Sequence, residues 1–68
     1  MRALVNKGLA LSRLGRDEEG LLFTEKATQV HPRDLYALFN SAVLYLKTHR
    51  PHMAKRTLEK LLATAPSF

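Results

Sequence analysis

Three histidines and six carboxylates are the side chains through which this chain could move protons near neutral pH. His49 and His52 flank a turn-like stretch, but neither has a carboxylate or cysteine beside it in sequence to complete a metal site. His31 precedes Pro32 and reads as a helix end. Asp17, Glu18 and Glu19 are consecutive, the pattern of acids in a helix's first turn rather than of two carboxylates facing across a substrate. There is no glycine-rich phosphate loop and no nucleophile motif. The absence of cysteine removes disulfides, thiolate metal ligands and thiol nucleophiles together. The expectation is a protein that is not an enzyme and holds no cofactor or metal.

The remaining charge is basic, with 11 Lys and Arg against 6 Asp and Glu. Part of it forms a candidate basic edge of Arg13, Arg16, Lys47, Arg50, Lys55 and Arg56, with His52 among them. Clustered cations suit phosphate. The exposed aromatics that stack single-stranded bases are not interleaved with them. Cations near helix C-termini also complement the helix dipole. A solvated edge is therefore preferred, and nucleic-acid or acidic-surface binding is kept as an alternative. The longest apolar run, Ala42 to Leu46, is far short of the roughly 20 residues of a spanning helix. Asn6 and Lys7 interrupt the apolar start, unlike a signal peptide. The chain is expected to be soluble, away from membrane, in the cytoplasm or another reducing compartment.

Four amphipathic stretches must position these groups. The first runs to about Leu14, with Leu4, Leu11 and Leu14 at helical spacing, and is stopped by Gly15. The second opens at Asp17 and ends near His31, before Pro32. Asp34 is an N-cap for the third, Leu35 to about Thr48. Pro51 fits the first position of the fourth, which runs to about Ala65. Connections of three or four residues force antiparallel neighbours.

The chain also repeats itself. A shift of 34 lays Ala3 on Ala37, Leu4 on Leu38, Asn6 on Asn40, Arg16 on Arg50, Glu25 on Glu59, Lys26 on Lys60 and Pro32 on Pro66. Gly8 meets Ala42, Leu11 meets Tyr45, and Gly20 meets Ala54. Two copies, 1–34 and 35–68, fill the sequence as two hairpins of one small domain. A 34-residue helix-turn-helix period belongs to repeat architectures. The small residues let the two helices of a hairpin approach closely.

On these residues the chain resembles the tetratricopeptide repeat (TPR) family. The first unit supplies Leu4, Gly8, Leu11, Gly20, Ala27 and Pro32 to its pattern. The second supplies Leu38, Ala42, Tyr45, Ala54, Leu58 and Pro66. The step of 17 from Gly15 to Pro32 separates it from the pentatricopeptide pattern. The resemblance implies an all-α fold: two stacked antiparallel helical hairpins, four helices, in a right-handed α-solenoid with a concave inner face. Departures are Lys7 and Ser41 where the family prefers leucine, Thr24 where it prefers an aromatic, and His49 in place of the turn glycine. Phe23 either turns inward for the missing ring or lies exposed. Leu61 replaces the small residue that Ala27 represents, which would obstruct a further standard helix.

The function that the resemblance implies is a protein-interaction scaffold. The partner-binding groove would hold Val5, Asn6, Leu9, Ser12, Arg13, Tyr36, Phe39, Asn40, Val43 and Lys47, with Arg2 and Leu46 on the same face. Some relatives clamp the C-terminal carboxylates of heat-shock chaperones. Here Val5 and Leu9 stand at the clamp's first-unit positions and only Asn40 is present, so an apolar or helical peptide of a partner protein is expected instead. Leu58, Leu61 and Leu62 on the last helix are expected to mediate self-association as a homo-oligomer, since two units without polar caps leave apolar surface bare. A third reading is a purely structural unit, a fragment or engineered repeat pair with no ligand of its own.

Overall fold

A computed structural model describes residues 2–66. Four helices make up its regular structure: α1 (Arg2–Arg13), α2 (Asp17–Val30), α3 (Leu35–Lys47) and α4 (Pro51–Thr64). There is no strand among the described residues. The expected hairpin boundaries include residues 1, 67 and 68, which lie outside the described residues.

The helix ends follow from local chemistry. α1 and α3 finish alike. Gly15 donates to Ser12 and Arg16 donates back to Leu11 at 2.9 Å, with Gly15 at φ 81°. At the end of α3, His49 donates to Leu46 and Arg50 donates to Tyr45 at 2.7 Å. These paired bonds satisfy carbonyls that a helix end leaves bare. His49 takes the glycine's part at φ 62°, a conformation that costs a non-glycine residue roughly 1–2 kcal/mol. Asp34 caps α3 by accepting from the Ala37 N–H at 3.0 Å. Pro51 opens α4, where its missing donor is no loss.

The contacts fix the directions. Gly8 faces Gly20, Lys7 faces Phe23 and Ser12 faces Asp17, so residue numbers fall along α2 as they rise along α1. α1 and α2 are antiparallel. Leu21 packs with Leu44, Tyr45 and Ala54, while Ala27 packs with Ala37 and Val5, so α3 runs back along α2. Arg2 and Asn6 reach Tyr36, and Ser12 reaches Lys47, so α1 and α3 run parallel.

Gly8 and Gly20 bring α1 and α2 into backbone contact. A Cβ added at Gly8 would stand 2.6 Å from the Gly20 carbonyl oxygen and 2.9 Å from Thr24 Cγ2. A Cβ at Gly20 would strike the Gly8 carbonyl oxygen. The close approach also settles the Thr24 departure. Thr24 is fully buried and returns its hydroxyl to the Leu21 carbonyl at 3.1 Å, so no ring fits there. Phe23 instead lies half-buried beneath the Lys7 ammonium, 4.8 Å from the ring centroid. Ser41, where a leucine was expected, is buried with no hydrogen-bond partner for its hydroxyl. Leu14, expected on the apolar stripe of α1, lies past the helix end and is 72% exposed.

Replacing Gly8 with alanine should destabilise the fold even though alanine is the better helix former. The propensity gain is about 1 kcal/mol, whereas overpacking costs about 1–3 kcal/mol. A net loss lowers the melting temperature by roughly 4–8 °C per kcal/mol in a domain of this size. Gly20→Ala should behave likewise. A rise in melting temperature for both, followed by circular dichroism, would show that the helices do not meet there.

Candidate functional site

Neither α1 nor α3, the two helices that make one face of the molecule, contains a carboxylate. Arg13 and Lys47 end these two parallel helices, so both cations lie at the same end of the face. Between them and the middle of the molecule stand Leu9 and Val43, both half-buried, and Leu46, 56% exposed. Phe39 is 45% exposed on the same helix.

Two residues expected in the groove are not surface. Val5 is fully buried with Ala27 and Ala37, and Leu4, Leu9 and Tyr36 pack against this cluster. It sits where α1, α2 and α3 converge and offers no side-chain surface to a ligand. Ser12 is also buried. Its hydroxyl donates to Asp17, and its oxygen accepts from Lys47 Nζ at 3.4 Å. Engaged on both sides, Ser12 ties α1 to α2 and anchors Lys47, and it does not present a nucleophile.

The asparagines are partly committed. Asn6 Oδ1 accepts from the Tyr36 hydroxyl at 3.0 Å. Asn40 Nδ2 donates to the Tyr36 carbonyl one turn back at 2.8 Å. The Arg2 guanidinium lies 4.3 Å from the Tyr36 ring centroid. Tyr36 is thus held by α1 at the end of the face opposite Arg13 and Lys47.

The basic edge is partly neutralised. Arg16 forms a forked pair with Glu19, with Nε to Oε1 at 2.8 Å and Nη2 to Oε2 at 2.6 Å. The hydrogen bond from Arg16 holds the Glu19 carboxyl below its usual range. Arg50 reaches from the start of α4 to Glu18 of α2 at 3.0 Å. His52, Lys55 and Arg56 are exposed on α4. Short-range reading placed Glu18 and Glu19 only as first-turn acids. Glu19 pairs locally with Arg16, three residues before it, and only the Glu18–Arg50 pair emerges from the stacking of the two hairpins.

Leu61 corrects the self-association reading. It is buried, two turns along α4 from buried Ala54 and on the same stripe facing α3, so it cannot form an intermolecular seam. Leu58 and Leu62 remain accessible, at 37% and 51%. Val30, His31, Pro32, Arg33 and Asp34 line an open depression at the α2–α3 turn. All five come from one turn, and no second element contributes a group to it. Among the described residues no group of three or more His, Cys, Asp and Glu side chains could hold a metal ion. No helix of the described residues is long and apolar enough to cross a membrane.

One titrating contact joins the hairpins and was not foreseen. Tyr45 donates to Glu25 Oε2 at 2.6 Å, linking residues 20 apart in sequence. Burial first, then the hydrogen bond and the charge of Glu25, push the Tyr45 phenol from 10.0 up to about 12, against a small opposing effect of Arg50. A raised folded-state value means this contribution is fully present below the unfolded value near 10 and is lost as pH climbs toward 12. In a Tyr36→Phe variant, the phenolate absorbance of Tyr45 should rise near pH 12, and Glu25→Gln should bring it down. The melting temperature should fall less steeply above pH 10 in Tyr45→Phe than in the parent. A Tyr45 midpoint near 10 in the folded Tyr36→Phe variant would contradict the buried contact.

No protein-family model matches the chain, and neither curated proteins nor solved structures give a significant match.

Proposed function

We propose that the chain is a pair of TPR-type hairpins, stacked as a right-handed solenoid, and that it binds a partner's peptide or helix along the α1–α3 face without catalysis. One observation carries the reading. Leu9, Val43 and Leu46 form an accessible apolar strip on two parallel helices that carry cations but no carboxylate. Apolar surface rimmed by charge is the ordinary chemistry of a recognition groove. The 34-residue repeat, the paired glycine-type turns and the burial of Gly8, Gly20, Ala42 and Ala54 support the TPR reading.

The basic edge is the weaker candidate because Arg16 and Arg50 are already spent on Glu19 and Glu18. Exposed pairs of this kind can be exchanged, but a ligand must then displace them.

Selection from a random peptide library displayed on phage tests the groove. Affinity of a selected peptide should fall about 5–30-fold in Val43→Ala and in Leu46→Ala, as hot-spot truncation does. The melting temperature of Leu46→Ala should scarcely move, because that side chain is largely exposed. Affinity should persist from about 0.05 to 0.5 M salt. Selected peptides that are polyacidic, indifferent to Leu46 and released by salt would overturn the groove in favour of the basic edge. A selection that yields no binder would favour a purely structural unit.

A further inference from the structure

α2 has two packing faces, and α4 uses only one of the corresponding two. Gly20 and Thr24 turn α2 toward α1. Its second face receives α3: Leu21 is buried against Leu44 and Tyr45, Glu25 accepts from the Tyr45 hydroxyl, and Glu18 accepts from Arg50. Thirty-four residues on, Lys55 stands for Leu21, Leu58 for Thr24, Glu59 for Glu25, Leu62 for Thr28 and His52 for Glu18. Leu21 and Thr24 are buried, and Glu25 and Thr28 are half-buried. Their four counterparts on α4 are all exposed. The apolar content is nonetheless higher on α4, where two leucines replace two threonines.

From this difference we propose that the Lys55–Leu58–Leu62 face of α4 docks an amphipathic helix of a different protein, acidic where it meets His52 and Lys55. The fold itself shows what the Lys55 and Glu59 positions accept, since α3 lies on their counterparts Leu21 and Glu25, while Leu58, whose counterpart Thr24 meets Gly8, borders that face. The helix must bring aliphatic side chains to Leu58 and Leu62, a hydrogen-bond donor to Glu59, and a carboxylate to the place that Arg50 takes over Glu18.

A second copy docking head to tail does not meet these terms. Its α1 would stand where α3 stands. Leu11 in place of Tyr45 has no hydroxyl for Glu59, and Ala10 in place of Leu44 brings little apolar surface to Lys55. Arg16 in place of Arg50 would face His52, where Arg50 faces Glu18. The loss of the Glu18 carboxylate at His52 and the gain of a cation where Leu21 was, at Lys55, therefore favour an acidic partner and disfavour a copy of this chain. A helix docked there would also border Phe39 and Leu46, the counterparts of Val5 and Ser12 that meet α3, so this face adjoins one edge of the α1–α3 strip, and the inference does not depend on Leu9 or Val43 binding anything.

Two synthetic helical peptides test it against the full chain. Both carry leucines at i, i+4 and i+7. One is flanked by glutamates, and the other has lysines in their place. Titration followed by amide chemical shifts should move His52, Lys55, Leu58 and Leu62. The acidic peptide should bind about tenfold tighter than the basic one. Lys55→Glu should abolish or reverse that preference, with an unchanged circular dichroism spectrum as the check on folding. Leu62→Ala should weaken the acidic peptide. Equal affinities, or no shift on α4 with either peptide, would overturn the proposal. Shifts confined to α1 and α3 would overturn it while leaving the groove reading intact. Concentration-dependent shifts at the same four α4 residues without peptide would show that a second copy occupies the face instead.

Discussion

The backbone contact between Gly8 and Gly20 sets the geometry of everything else. Two helices with ordinary side chains at their crossing are separated by about 8–10 Å. Glycines on both sides remove that spacer, and each carbonyl oxygen comes to lie where the other residue's Cβ would be. The large residues flanking the crossing then close over it. Thr24 is sealed, Ser12 reaches Asp17, and α2 is left with a second face free to take α3. The second hairpin repeats the device in a looser form, with Ala42 and Ala54 in the places of the glycines.

Stacking of the hairpins rests on a small apolar interface with a polar margin. Val5, Ala27 and Ala37 form one contact, and Leu21, Leu44, Tyr45 and Ala54 form the other. Around them run Tyr45 to Glu25, Arg50 to Glu18, Lys47 to Ser12 and Tyr36 to Asn6. The one exposed ion pair among these contacts, Arg50 to Glu18, contributes little stability by itself. The importance of the contacts is register, since a slip of one helical turn would separate several of them at once. The same margin uses up side chains that would otherwise serve a ligand, which is why the basic edge is less open than its sequence suggests.

Much of this was legible in the sequence because it is local. Gly15, Pro32, Asp34 and Pro51 act within a few residues of themselves, and the helix ends lie within about two residues of where these signals put them, the ordinary uncertainty of such boundaries. The 34-residue period likewise points to the buried positions Gly8, Gly20, Ala42 and Ala54. What was not legible depends on three helices meeting. Val5 has the spacing of a groove residue on α1, yet α2 and α3 close over it. Leu61 reads as an oversized residue on an outer face, but the α4 stripe that carries Ala54 carries it inward. Glu25 and Tyr45 stand out in sequence only as repeat positions and find each other only when the hairpins stack.

The two hairpins stack in phase, with α1 and α3 parallel and α2 packed against both. Nuclear Overhauser contacts in solution test this arrangement directly. Contacts are expected between the α-protons of Gly8 and Gly20, between Leu21 methyls and the Tyr45 ring, and between the Tyr36 ring and the side chains of Arg2 and Asn6. Contacts within each hairpin but none from Leu21 to Tyr45 or from Tyr36 to α1 would contradict it, leaving two helical hairpins that do not form one structure.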